Sequence, residues 1–88
     1  MTAEARIVNR LGLHARAAAR FVEVAGRFRS RIEVGRDGAT VDGKSILGLL
    51  TLAAHCGSTI RIDAVGPDAA DALRSLTALI EDRFGEEQ

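Results

Sequence analysis

The pair Asp37-Gly38, with a short alternating run on each side, restricts the fold more than any other stretch. Asp-Gly is a preferred two-residue turn between antiparallel strands. Counting outward from this turn sets Arg36 against Ala39, Val34 against Val41 and Ile32 against Gly43. The two valines then form an apolar cross-strand pair on one face of the hairpin. The sequence therefore predicts an antiparallel sheet with one apolar face, which other elements must cover.

The remaining patterns alternate between strand and helix and extend this hairpin to the order β-α-β-β-α-β-α. Strands are predicted over 3–8 and 59–65, and helices over 15–28, 46–54 and 69–84. We expect Asp68 to cap the last helix and the acidic tail, residues 81–88, to be frayed. Each strand has one apolar face and each main helix one apolar stripe. The predicted fold is α+β: an open-faced two-layer β-sandwich whose four-stranded antiparallel sheet carries three helices on one face.

Composition limits the classes of protein that this chain can belong to. The 88 residues predict a single domain spanning 1–88. One cysteine permits no internal disulfide, no metal site is indicated, and no membrane span or signal peptide is evident. We therefore expect a cytoplasmic protein without a cofactor. Nine Lys/Arg against five Asp/Glu make residues 1–44 basic, but the lack of stacking aromatics argues against nucleic-acid binding.

The stretch from Gly12 to Ala18 concentrates the candidate chemistry. His14 lies where an extended segment meets an Ala-rich helix, and Arg16 follows two residues later. The first turn of a helix has unpaired N–H groups and a positive dipole, which favour bound phosphate. Arg16 adds a permanently charged guanidinium for the same anion. His14 is thus a candidate phosphoryl acceptor; the alternative from the residues alone is a histidine that only caps the helix.

The short helix after Ser45 is apolar on nearly every face. We expect Leu49, Leu52 and Ala53 to face the core. Ile46, Leu47 and Leu50 then form an exposed surface for a partner protein. The alternative is a larger core that buries them all. Ser45 is a strong N-cap residue, and capping alone would account for it.

Two segments, Gly12-Leu13-His14-Ala15-Arg16 and Lys44-Ser45-Ile46-Leu47-Gly48-Leu49-Leu50, resemble the two signatures of the HPr family. These are histidine phosphocarriers of the bacterial phosphoenolpyruvate-dependent phosphotransferase system, with an open-faced β-sandwich fold. The resemblance spans the chain and implies a monomeric phosphoryl carrier, not an enzyme with its own turnover. It implies that His14 takes phosphate from enzyme I on Nδ1 and passes it to an enzyme IIA, while Arg16 steadies the phosphate.

The resemblance also assigns regulatory and docking residues. It implies that Ser45 is a target of HPr kinase/phosphorylase where that enzyme exists. It places Ile46, Leu47 and Leu50, with Ala17 and Arg20, on the surface that contacts partners. The family usually has proline where this chain has Ala17, and similar replacements occur in its nitrogen-related branch. The alternative function is therefore a regulatory module of the same fold that acts by phosphorylation-dependent binding; intact His14 and Arg16 favour the carrier.

Overall fold

The computed structural model describes all 88 residues of the chain. Four strands and three helices follow one another in the predicted order. The elements are β1 (Thr2–Arg6), α1 (Ala15–Ala25), β2 (Arg31–Arg36), β3 (Ala39–Asp42), α2 (Ile46–Thr51), β4 (Thr59–Val65) and α3 (Ala69–Glu81), followed by a 3₁₀ turn (Arg83–Gly85). None of these helices has the length and apolarity needed to cross a membrane.

The strands form one sheet in the order β1-β4-β2-β3, and every neighbouring pair is antiparallel. The register predicted for the hairpin is confirmed, because Arg36 faces Ala39 and Val34 faces Val41. On its other side β2 pairs with β4, where Val34 faces Ile62. Hairpin β2–β3 therefore forms one side of the sheet, and β1 is added at the far side of β4.

The core lies between one face of this sheet and the helices. Twenty buried apolar side chains form a single cluster that includes Phe21 of α1, Leu76 of α3 and the inward residues of the central strands. Alternate residues on those strands, such as Glu33 and Arg61, are exposed on the opposite face. The predicted open-faced sandwich is therefore confirmed: the helices occupy one face, and the other face is open to solvent.

Both helices in the first two-thirds of the chain are shorter than the sequence predicts. Helix α1 ends at Ala25 instead of residue 28, since beyond Gly26 the backbone continues in tighter three-residue turns. Helix α2 ends at Thr51 instead of residue 54. Ala53 adopts a positive φ of 51° there, and the chain turns so that the Ala54 carbonyl accepts a hydrogen bond from Leu13.

Asp68 does not cap α3 with its side chain, contrary to the prediction. Its carboxylate instead accepts hydrogen bonds from the backbone N–H groups of Arg29 and Ser30, at 2.9 Å each, and from the Ser30 hydroxyl. These donors hold the pKa of Asp68 at about 2, with the Ser30 hydroxyl making the largest contribution. The carboxylate thereby ties the β4–α3 corner to the α1–β2 connection.

The acidic tail is not frayed, and this is the largest departure from the prediction. Helix α3 ends at Glu81, and Phe84, with a φ of 55°, turns the chain while its ring is fully buried. The tail then runs back beside the β1–α1 loop, where the backbone N–H of Arg10 donates to the Gln88 carbonyl at 2.8 Å. Burial of the Phe84 ring explains why a charged tail is held against the domain.

Candidate functional site

The loop before α1 is fixed by its packing on the loop that follows α2. Gly12 has a φ of 70°, and a Cβ atom there would lie 2.7 Å from the Ala54 carbonyl oxygen and 2.8 Å from the His55 Cα. The Leu13 N–H donates to that same carbonyl at 2.8 Å, and the Leu13 side chain is buried. Only glycine permits this approach with this backbone conformation. The consequence is a fixed exit direction for His14.

His14 is the N-cap residue of α1, with an extended backbone. Its Nδ1 accepts a hydrogen bond from the backbone N–H of Arg16 at 3.2 Å, and its Nε2 lies 2.6 Å from Oε2 of Glu86. A nitrogen that accepts a hydrogen bond carries no proton, so the neutral ring has its proton on Nε2, which donates to Glu86. Nδ1 therefore presents a lone pair at the helix N-terminus, on a side chain that is 28% exposed.

Glu86 is a site residue that the sequence analysis missed. Its Oε1 accepts a hydrogen bond at 3.1 Å from Nδ2 of Asn9, which is fully buried and also donates to the Gly12 carbonyl. Burial alone would raise the pKa of Glu86, but hydrogen bonds from Asn9 and His14 and the charges of His14 and Arg16 lower it. The glutamate is thus a carboxylate at neutral pH, and it connects Asn9 to His14.

Two arginines lie near the histidine in the same pocket. Arg10 and Arg16 line the same open pocket as His14, together with Glu86 and Glu87 from the tail. The structure thus brings His14 and Arg16 together, whereas Arg20 lies outside this lining. The Arg20 guanidinium lies beside the tail, 2.8 Å from the position of a Cβ atom built on Gly85. No three His, Cys, Asp or Glu side chains come together in a way suited to a metal ion.

Ser45 caps α2 and does not line the histidine pocket. Its Oγ accepts a hydrogen bond from the Gly48 N–H at 3.0 Å, and the residue is half-buried. Directly after it, Ile46 and Leu47 are 40% and 77% exposed. We call these two residues the α2 apolar patch. Leu49 and Leu52 are buried, as the sequence predicts. Ala53 is exposed, contrary to the prediction, because the chain leaves the helix there with a positive φ.

Two residues expected on the docking surface are placed differently by the structure. Ala17 is fully buried in the core, so its side chain cannot contact a partner, and its assignment to that surface is wrong. It is in the first turn of α1 on the same inward stripe as Phe21, where helical spacing brings both toward the core. Leu50 is only partly exposed because it packs against the core cluster. Alanine in place of proline at position 17 therefore acts on the helix start and not on docking.

Comparison with known proteins agrees with this geometry. Residues 1–82 match the family model described as the HPr component phosphorylation site of the phosphotransferase system. The phosphocarrier protein HPr of Cupriavidus necator is 50% identical over 80 residues, which cover 91% of this chain and 90% of that protein. An HPr crystal structure from Thermoanaerobacter tengcongensis covers 100% of this chain and 99% of its own, with a TM-score of 0.96 and 41% identity.

A second structure from the same organism, an HPr dimer, is 43% identical with a TM-score of 0.79. It covers 92% of this chain and 93% of that one. The family model, the relatives and the open-faced fold agree with one another over nearly the whole length of the chain. The chain therefore belongs to the HPr family of phosphocarrier proteins of the phosphotransferase system.

Proposed function

We propose that this protein accepts a phosphoryl group on Nδ1 of His14 from phosphorylated enzyme I and passes it to an enzyme IIA protein or domain. The observation that carries the proposal is the hydrogen-bond pattern of the His14 ring. Its Nε2 faces a carboxylate and its Nδ1 faces only a backbone N–H, so Nδ1 is the nitrogen with an available lone pair. A nucleophile with this orientation at a helix N-terminus suits reversible phosphoryl transfer.

The mechanism requires few changes around the ring. At 3.2 Å the bond from the Arg16 N–H to Nδ1 is at the long end of the hydrogen-bond range and is easily given up. When Nδ1 attacks phosphorus, this N–H and the other free amides of the first turn can donate to the phosphoryl oxygens instead. The exposed Arg16 guanidinium adds charge stabilisation from the pocket side. Stabilisation by position and charge, without further covalent chemistry, is what phosphoryl transfer needs.

The α2 apolar patch is the proposed docking surface for both enzymes, and Arg20 is proposed as a further, charged contact. Phosphorylation of Ser45 by an HPr kinase/phosphorylase would replace its bond to Gly48 and place a dianion directly beside Ile46 and Leu47. Desolvating that charge against an apolar partner surface is unfavourable, so the modification weakens docking. The patch must be free of contacts after one partner leaves and before the next binds, which favours a monomer as the working form. We propose that this form works in the cytoplasm.

The alternative, a regulatory module that acts only by binding, needs no reactive nitrogen at position 14. The arrangement of His14 between the Arg16 N–H and Glu86 has no use in such a module. It therefore supports the carrier.

The test is a reconstituted relay of phosphoenolpyruvate, enzyme I and a purified enzyme IIA, with phosphorylation of enzyme IIA as the readout. Transfer is expected with the wild-type protein and lost with His14→Ala. His55→Ala is the matched control, since His55 is the other histidine of the chain and is exposed outside the pocket. Equal transfer by the wild type and His14→Ala would overturn the proposal.

A further inference from the structure

The contact between the Glu86 carboxylate and Nε2 of His14 determines which ring nitrogen carries the proton. Nε2 and Oε2 are 2.6 Å apart, the glutamate is only 17% exposed, and Asn9 fixes its other oxygen. A carboxylate that orients a histidine through the nitrogen opposite the reacting one is a recurrent way of fixing a tautomer. Here the orienting residue comes from the tail, 72 positions further along the chain.

We propose that Glu86 is a positioning residue for the phosphoryl transfer proposed above, because it holds the proton on Nε2 of His14 before, during and after the reaction. The inference rests on the proposed function for its meaning, but the contact itself is a property of the unmodified protein. Two steps of the reaction and the way Glu86 is held in place support this proposal.

The first step is acceptance of the phosphoryl group. The Nδ1 lone pair forms a bond to phosphorus, the bond from phosphorus to the donor breaks, and the donor atom keeps that electron pair. The ring thereby becomes a phosphorylated imidazolium whose positive charge includes Nε2–H. Arg10, Arg16 and Glu87 line the pocket beside this ring, together with Glu86. Only Glu86 contacts the ring nitrogen, so it is the group that stabilises this state directly.

The second step is delivery of the phosphoryl group to the next protein. When Nε2 keeps its proton, the bond from phosphorus to Nδ1 breaks and returns its electron pair to a ring that leaves as neutral imidazole. No proton needs to move. If the Nε2 proton were lost to water first, the leaving ring would be an imidazolate, which is a much poorer leaving group. Glu86 therefore keeps the carrier in the form that can release its cargo.

The third support for the proposal is that the tail carrying Glu86 is held against the domain. The buried Phe84 ring holds the turn that precedes Glu86, and the Gln88 carbonyl accepts from Arg10 after it. The carboxylate is thus held on both sides by contacts to the domain. A tail secured in this way can orient a side chain, in contrast to an exposed charged end of chain.

The first experiment examines the unphosphorylated protein by ¹H–¹⁵N NMR of the His14 ring. A hydrogen-bonded Nε2–H resonance is expected in the wild type and in Glu81→Gln, the matched control at an exposed glutamate outside the pocket. Glu86→Ala is expected to lose it to exchange with water. An unchanged Nε2–H resonance in Glu86→Ala would overturn the proposal, whether or not the protein carries phosphate.

The second experiment measures hydrolysis of the isolated phosphorylated protein slightly above neutral pH. Glu86→Gln keeps the shape of the side chain and removes its charge. Its phosphohistidine is expected to hydrolyse about three- to tenfold more slowly than that of the wild type, since a partly exposed charge-assisted bond is lost. Glu81→Gln is expected to match the wild type. Equal rates in Glu86→Gln and Glu81→Gln would contradict the proposal, whereas a wild type that takes no phosphate would contradict the carrier function instead.

Discussion

Gly12 is where backbone conformation and packing together set the position of His14, and replacing it with alanine incurs both a conformational and a packing cost. An L-residue at a φ of 70° is disfavoured by about 1–2 kcal/mol. The new Cβ atom would also lie 2.7 Å from the Ala54 carbonyl oxygen and 2.8 Å from the His55 Cα, and both are backbone atoms. Overpacking of this kind costs about 1–3 kcal/mol. Gly12→Ala is therefore expected to lower the free energy of unfolding by about 3 kcal/mol.

The matched control is Gly38→Ala, in the hairpin turn. Its φ is 84°, but a Cβ atom there would meet nothing within 4 Å, so only the conformational cost of about 1 kcal/mol applies. For a domain of this size 1 kcal/mol corresponds to about 4–8 °C in Tm. Thermal unfolding followed by circular dichroism should therefore show a loss above about 10 °C for Gly12→Ala and about 5 °C for Gly38→Ala. Equal losses would refute the claim that the loop after α2 positions the histidine.

Three further perturbations test other parts of the structure. The pKa of Asp68 is lowered from 3.8 to about 2, so its contribution to stability is present above its ordinary pKa and is lost as pH falls through about 2. The difference in urea midpoint between the wild type and Asp68→Asn should be full at neutral pH and vanish below pH 2, and a constant difference would contradict this. Ser45→Ala removes the cap on α2 and should cost about 1 kcal/mol in chemical denaturation, with Thr51→Ala as a control outside the cap. Leu47→Ser should leave stability within about 0.5 kcal/mol but weaken binding to enzyme I by calorimetry at least about fivefold; unchanged affinity would remove the α2 apolar patch from the docking surface.

Sequence patterns predicted the elements that depend on short-range rules. The alternation around Asp37-Gly38 was sufficient for the hairpin register, because the turn type fixes which residues face each other. The expectation of one apolar face on each element holds for β4 and α3, whose inward residues, such as Ile62 and Leu76, are buried. The helix ends were less accurate, since a tertiary contact from Leu13 to Ala54 helps set the end of α2, and no local pattern encodes it.

The site could be predicted only in part from the sequence. His14 and Arg16 are neighbours in the chain, so local spacing was enough to associate them. Glu86 comes from the other end of the chain, and its charged neighbours suggested a solvated tail. Phe84 was the available signal: an apolar side chain four residues beyond Ile80 must be buried somewhere, and burying it turns the following residues back toward the domain. The burial of Ala17 likewise follows from its helical spacing to Phe21, which places both side chains on the inward stripe of α1.

The most direct test of the carrier function is intact mass spectrometry of the protein after incubation with phosphoenolpyruvate and a bacterial enzyme I. We predict a gain of one phosphoryl group that is lost in acid, persists in Ser45→Ala and is absent from His14→Ala. No gain with a cognate enzyme I, or an acid-stable gain that remains in His14→Ala, would contradict the assignment of His14 as the phosphoryl carrier.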